Sequence, residues 1–210
     1  MASAGTLTVL PDGLCTAAAL AYARPMEHAP DDRALMLRYQ DGDLAAFETL
    51  YNRHNAPLYR YLLRLCRSRD SAEDVFQEVW GKIIRSRSSY RATAKFSTFL
   101  YRVAHNCFID HVRRNKRHAH HNELDENLHS DGNPQPEELT ERALAKRRLS
   151  GALMALPDEQ RDAFLLHEEA GLSIDQIAAV MGSKRETAKS RVRYATRKLR
   201  EALDEPGDSN

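Results

Sequence analysis

The chain has 210 residues, 42% of them hydrophobic and 29% charged. That suits a soluble globular protein with one or two compact domains. No apolar run approaches the roughly 20 residues of a membrane span. The short apolar stretch 17–23 lacks the basic flank of a signal peptide, so membrane insertion is not expected. Cys15, Cys66 and Cys107 are too scattered for a disulfide scaffold or a thiolate zinc site, and a reducing, cytoplasmic setting fits best. The net charge of +1 hides strong blocks. Residues 53–117 carry 15 Lys/Arg against 5 Asp/Glu, and residues 147–200 carry 11 against 7. The segment 118–146 between them carries 2 against 7. Two basic blocks around an acidic spacer point to a polyanionic ligand.

In chain order, residues 1–30 lack sustained periodicity and contain Pro11, Gly13, Pro25 and Pro30. They are expected to form a disordered tail, with Met26 as a candidate translation start. Helical patterning begins at Asp31. Ala46, Phe47, Leu50 and Tyr51 make one apolar stripe, and Leu58, Tyr61, Leu62, Leu65 and Cys66 another. Pro57 either kinks a single helix or opens a second. The next helix is expected to start at Asp70 as N-cap, with Glu73 completing a capping box. Ala72, Val75, Phe76, Val79, Trp80, Ile83 and Ile84 form its buried face, and Glu73, Asp74, Gln77 and Glu78 its other face. Residues 86–95 read as a polar, basic loop. A long helix follows, with Phe96, Phe99, Leu100, Val103, Ala104, Cys107, Phe108 and Val112 inside. Arg102, Asn106, Asp110, Arg113 and Arg114 are outside.

Residues 118–136 have the composition of a linker. A second helical domain spans 137–204, and 205–210 form a C-terminal tail. Within this domain Leu172, Ile174, Ile177, Ala178 and Met181 fit a short helix, followed by Gly182 for a tight turn. Ala188, Val192, Ala195 and Leu199 then line one face of a longer helix. Its opposite face bears Lys184, Arg185, Thr187, Lys189, Ser190, Arg191 and Arg193. This is a helix-turn-helix pattern, whose second helix suits a DNA major groove. The expected fold is all-α: two small helical domains, 31–117 and 137–204, on a tether.

These residues carry a family resemblance. The run 156–161 (LPDEQR), with Gly171-Leu172-Ser173, Gln176-Ile177-Ala178 and Thr187-Ala188-Lys189-Ser190-Arg191, resembles region 4 of bacterial sigma factors. The run 71–80 (SAEDVFQEVW) resembles their region 2.2, and 96–106 with 109–114 resembles regions 2.3 and 2.4. Nothing resembles regions 1.1, 1.2 or 3. That layout is similar to the extracytoplasmic-function (ECF) group of the sigma-70 family. The resemblance implies a factor that binds core RNA polymerase, directs promoter-specific initiation and is not itself an enzyme. It implies that Asp74, Gln77 and Glu78 bind the clamp helices of the β′ subunit, with the β flap as a further polymerase contact. It implies minus-ten contacts from Arg91, Lys95, Tyr101, Arg102, Asn106, Arg113 and Arg114. Tyr90 or Tyr101 would stack a flipped base. It implies minus-thirty-five contacts from Lys184, Arg185, Thr187, Lys189, Ser190, Arg191 and Arg193. A separate anti-sigma factor is the expected regulator. Ala188 stands where relatives usually carry a larger residue, and Phe99 where tryptophan is common.

Asp110 also has a structural reading, pairing with Arg113 or Arg114 along its helix. His118, His120, His121 and His129 suggest weak metal binding, but a linker offers no groups to orient them, and neither metal nor cofactor is expected. The alternative function is a stand-alone helix-turn-helix regulator. It explains the basic recognition helix but leaves the acidic helix unused.

Overall fold

Polar side chains set the helix starts. The computed structural model describes residues 30–66, 68–121 and 141–204. Helix α1 (Asp32–Gln40) leads into α2 (Leu44–Leu65), where Asp43 caps the N-terminus by accepting from the Ala46 amide at 3.1 Å. Pro57 lies inside α2 without dividing it. Its ring removes one intrahelical hydrogen bond, but buried Leu50, Leu58, Tyr61 and Leu62 hold the helix on both sides. Helix α3 spans Arg69–Arg85. Its cap is Ser68, whose hydroxyl accepts from the Ser71 amide at 3.1 Å. The expected cap, Asp70, sits in the first turn instead. There it still favours the helix through the macrodipole.

The basic loop contains one turn of 3-10 helix, Arg87–Ser89, and then α4, Phe96–His121. Helix α4 runs four residues into the segment expected to be linker. The second set of helices is α5 (Glu141–Ala155), α6 (Asp158–Glu168), α7 (Ile174–Met181) and α8 (Arg185–Asp204). Ser173 and Gln176 form a capping box at the start of α7. Residues 1–29, 122–140 and 205–210 lie outside the described set, and with them both expected tails and most of the linker. The side chains of His118, His120, His121 and His129 lie outside it too.

Each helix set buries its own apolar stripe. In the first, α1, α2, α3 and α4 pack in succession. An aromatic chain joins the first three. Phe47 stacks on Tyr39 at 4.6 Å and meets Trp80 edge-on at 5.9 Å, and Tyr51 lies 4.8 Å from Trp80. Such pairs add to simple area burial. In the second set, α5, α6 and α7 all pack on α8, around Leu156, Leu165, Leu166, Ile177, Ala188, Val192 and Leu199. The two sets also touch one another, α2 against α6 and α4 against α7. The sequence pattern places two domains on a tether and leaves their arrangement open, and these contacts supply it.

Gly182 ends α7 at φ 60° and ψ 32°, the left-handed conformation that closes helices at low cost only for glycine. A Cβ there would meet no neighbouring atom. Gly182→Ala therefore tests backbone strain alone. It is expected to cost about 1 kcal/mol, read as a melting temperature lower by roughly 2–4 °C.

Candidate functional site

Four surfaces or clusters carry the chemistry. The first is the outer face of α3. Asp74 and Gln77 are exposed there, one helical turn apart. Glu78 is not free. Its carboxylate accepts from Arg114 of α4 at 2.8 Å and pairs with Lys82 at 2.9 Å. Burial pulls this carboxyl upward, but the hydrogen bonds from Arg114 and Lys82 outweigh it and hold it below the ordinary glutamate value. A lowered pKa means the link adds stability above the unfolded value, near 4.5, and loses it as pH falls through the folded value. The partners are half exposed, so the contribution is small. Glu78→Gln is expected to lower stability by about 0.5 kcal/mol at pH 7 and by nothing measurable at pH 3, as read by urea denaturation.

The second surface joins the basic loop to α4. Arg91 and Lys95 are exposed. The loop is braced against α1: Arg87 lies 5.0 Å from the Tyr39 ring and donates to the Gln40 carbonyl at 3.3 Å, while Gln40 donates to the Ser88 carbonyl at 3.1 Å. Arg102, Asn106, Arg113 and Arg114 are exposed on α4 as expected. Tyr101 is not. It is 2% exposed, edge-on to Tyr61 at 5.2 Å. Burial, reinforced by the Glu169 charge, pushes its hydroxyl up to about 12. Tyr90 is 4% exposed and packs against Phe99 at 5.1 Å. Both tyrosines are core residues in this conformation, so neither presents a ring for stacking. Tyr101 turns inward because that side of α4 meets Tyr61 of α2, and Tyr90 because the entry loop lies over Phe99 of α4. Beside them a cavity of about 500 Å³ opens between α3 and α4, lined by Lys82, Phe99, Asn106, Asp110 and Arg113 among others. The Asp110 charge helps to hold the Arg114 guanidinium of its own helix above its ordinary value, behind the larger effect of Glu78. Asp110 also faces Lys82 of α3 at 3.8 Å.

The third surface is α8. Ala188, Val192, Ala195 and Leu199 are buried, which turns Lys184, Arg185, Lys189, Ser190 and Arg193 outward. Thr187 is half-buried, and its carbonyl accepts from the Ser190 hydroxyl at 2.9 Å. Arg185 pairs with Asp175 of α7 at 2.8 Å. Arg191 pairs with Glu159 of α6. These carboxylates aim the two guanidinium groups and neutralise them in part.

The fourth is a buried polar junction between the helix sets. Asp162 of α6 is 1% exposed. It accepts from the Tyr61 hydroxyl of α2 at 2.6 Å and pairs with His105 Nδ1 of α4 at 2.6 Å. Gln176 of α7 donates to Thr98 of α4 at 3.0 Å. Glu169 pairs with Arg64 and lies 3.6 Å from Arg60, both on α2. Sequence reasoning did not single out this junction. One signal was present: Asp162 stands at i, i+3, i+4 spacing with Leu165 and Leu166, a carboxylate on an apolar stripe.

Among the described residues, no helix is long and apolar enough to cross a membrane. The family model for sigma-70 region 2 matches residues 50–118, and the model for sigma-70 region 4 matches residues 146–199. A regulator built on the recognition helix alone accounts for the second match and not the first. The chain is 32% identical over 176 residues to the ECF RNA polymerase sigma factor SigM of Mycobacterium tuberculosis, covering 84% of this chain and 86% of that one. It is 32% identical over 170 residues to the RNA polymerase sigma factor CarQ of Myxococcus xanthus, covering 81% and 96%. It is 32% identical over 181 residues to the ECF RNA polymerase sigma-E factor of Escherichia coli, covering 82% and 92%. Its fold resembles that of the sigma factor RpoE from Bartonella quintana, solved with the anti-sigma factor NepR, at a TM-score of 0.64 and 23% identity over 77% of this chain and 98% of that one. It also resembles CnrH, solved with the cytosolic domain of CnrY, at a TM-score of 0.62 and 22% identity over 84% and 99%. With both sigma regions matched in order and relatives aligned along most of their length, the chain belongs to the ECF subfamily of bacterial sigma-70 RNA polymerase sigma factors.

Proposed function

We propose a division of labour among the three exposed surfaces of this factor, which directs transcription initiation by core RNA polymerase. The observation that carries the reading is the row of exposed cations on α8, set on a buried Ala188–Val192–Ala195–Leu199 face. Lys184, Arg185, Thr187, Lys189, Ser190, Arg191 and Arg193 bind the minus-thirty-five element, through bases and phosphates together. Asp74, Gln77 and Glu78 bind the β′ clamp helices, where an acidic patch finds basic partners. Region 4 meets the β flap.

Arg91, Lys95, Arg102, Asn106, Arg113 and Arg114 serve the minus-ten element. The cavity between α3 and α4 takes over the role expected of Tyr90 and Tyr101. It offers the Phe99 ring for stacking, with Asn106 and Asp110 at hand for hydrogen bonds to a base taken out of the stack. A separate anti-sigma factor controls the protein, a reading supported by the similarly folded sigma factor RpoE solved with the anti-sigma factor NepR.

The test is run-off transcription with purified core polymerase on a pool of genomic fragments. Discrete new transcripts are expected, and they identify the promoter. Loss of all transcripts with core binding absent would overturn the reading in favour of a stand-alone regulator. The promoter so identified allows a finer measurement. Lys189→Ala and Arg193→Ala are each expected to weaken promoter binding and reduce the salt slope of log K by about 1. A slope equal to wild type would remove that residue from the phosphate contacts.

A further inference from the structure

Helix α1 contributes no residue to the polymerase or promoter surfaces, yet the basic loop leans on it. Both ends of α1 are tied down. Asp32 pairs with Arg53 and with His54 Nε2 at 2.7 Å, and Arg38 pairs with Asp43, the cap of α2, at 2.6 Å. Between these ties Leu35, Met36 and Tyr39 are buried. The Tyr39 ring packs on Phe47 at 4.6 Å, and the Arg87 guanidinium lies over it, 5.0 Å from the ring centre. Arg87 Nε also donates to the Gln40 carbonyl at the end of α1, where the helix dipole favours a cation. The Gln40 side chain donates in turn to the Ser88 carbonyl at 3.1 Å. Arg87 is therefore engaged with protein, while Arg91 and Lys95 of the same loop are exposed.

The braced end of the loop also walls the cavity between α3 and α4. Ser86 lines that cavity. Its hydroxyl donates to the Ile83 carbonyl at 3.0 Å, and its carbonyl accepts from the Ser89 amide at 3.0 Å. Phe99 lines the cavity too, and Tyr90 packs on that ring at 5.1 Å. A shift of residues 86–90 would move both walls together. Choosing among bases requires walls and donors that stand in place before the base arrives.

We propose that α1 is a buttress that presets the loop and the cavity for a minus-ten base. Tyr39, Gln40 and Arg87 are then positioning residues that do not touch DNA. The role rests on the reading of the α3–α4 cavity as a minus-ten site. Without the brace the loop samples other conformations. Only the fraction still in place is competent, and apparent affinity falls by that fraction. No phosphate contact is lost with it, so the salt dependence of binding stays the same.

Full-length wild type, Arg87→Met, Gln40→Ala, Arg91→Ala and Asn106→Ala are compared. Hydrogen exchange in the free proteins reads the brace itself. Each protein, bound to core polymerase, is then titrated with a fragment of the promoter found by run-off transcription, its minus-ten segment held unpaired by mismatches. Arg87→Met keeps a stem over Tyr39 and removes the charge and the donor. It is expected to speed amide exchange in residues 86–90 about tenfold and to weaken binding about fivefold. Discrimination among minus-ten bases should fall about threefold, with the salt slope of wild type. Gln40→Ala should move the same readouts by less. Arg91→Ala should instead reduce the salt slope by about 1 and leave exchange in residues 86–90 as in wild type.

A slope for Arg87→Met lowered like that of Arg91→Ala would make Arg87 a phosphate contact and overturn the buttress. Wild-type exchange in residues 86–90 would overturn it as well, and so would faster exchange with undiminished discrimination. If Arg87→Met loses helicity by circular dichroism, Gln40→Ala decides by the same readouts. Wild-type binding by both Arg91→Ala and Asn106→Ala would end the minus-ten reading, and the buttress with it. Weaker binding by those two, with none of the expected changes in Arg87→Met, would strike the buttress alone.

Discussion

Full-length protein carrying Asp74→Ala and Gln77→Ala is expected to bind core RNA polymerase about 100-fold more weakly than wild type. That is a loss of about 2.7 kcal/mol, the size of an interface hot spot. Both side chains are exposed on one face of α3, and neither supports the fold, so stability should stay within about 0.5 kcal/mol of wild type. Glu78 is left in place because it has a second occupation. Its removal also breaks the α3–α4 link through Lys82 and Arg114, which would mix binding with folding. Surface plasmon resonance against immobilised core enzyme, with thermal melting as control, checks the result. Wild-type affinity in the double variant would remove α3 from the polymerase interface. Promoter-duplex binding by the same protein should be unchanged, since α8 lies in the other helix set.

The second large effect concerns Arg161. This arginine is 1% exposed in the second helix set. Its guanidinium donates to Asp158 at 2.7 Å and to the carbonyls of Met154 and Leu156 at 3.4 Å. It thus satisfies carbonyls at the C-terminal end of α5 from the first turn of α6 and sets the corner between them. Arg161→Ala removes the donors and the buried stem together. The expected cost is about 3–4 kcal/mol, combining unsatisfied carbonyls with a cavity. Arg161→Met keeps most of the volume and loses only the donors, so about half that cost is expected. Equal losses in the two variants would mean that volume is irrelevant at this site. Urea titration of the full-length protein separates them.

The apolar stripes were readable because helices repeat every 3.6 residues. The stripe of α3 (Ala72, Val75, Val79, Trp80, Ile83) and that of α8 (Ala188, Val192, Ala195, Leu199) are buried as their spacing demands. The turn at Gly182 was equally legible, because few other residues accept a φ of 60°. Capping was less so. Ser68 and Asp70 are both good caps by type, and only the chain's path into α3 chooses Ser68. The tyrosines mark a harder limit. An aromatic residue beside a basic loop suits base stacking or a core equally well, and periodicity assigns Tyr101 to the stripe only once α2 is known to cover it. Asp110 acts on Arg114 along its own helix and also reaches across to Lys82, a second contact supplied by the packing of α3 on α4. The Asp162 junction joins residues 57 and 101 positions apart in the chain. Local pattern carries no information at that range. The minus-ten, minus-thirty-five and clamp assignments came from motif resemblance; most of those side chains are exposed, while Tyr101 is buried and Glu78, Thr187 and Arg191 are partly covered.

The recognition helix holds two of its arginines in ion pairs before any DNA arrives, Arg185 with Asp175 and Arg191 with Glu159. A phosphate meeting either guanidinium displaces a carboxylate, so the electrostatic gain is a difference between two anions. Attraction to an arbitrary duplex is thereby weakened at the outset, since charge is nearly all that a non-cognate site has to offer. A cognate site adds base contacts to the same exchange. Occupancy in a genome follows the ratio of those two affinities multiplied by the number of competing sites. Carboxylates that keep the helix from lingering on the wrong sequence would shorten its search for the right one.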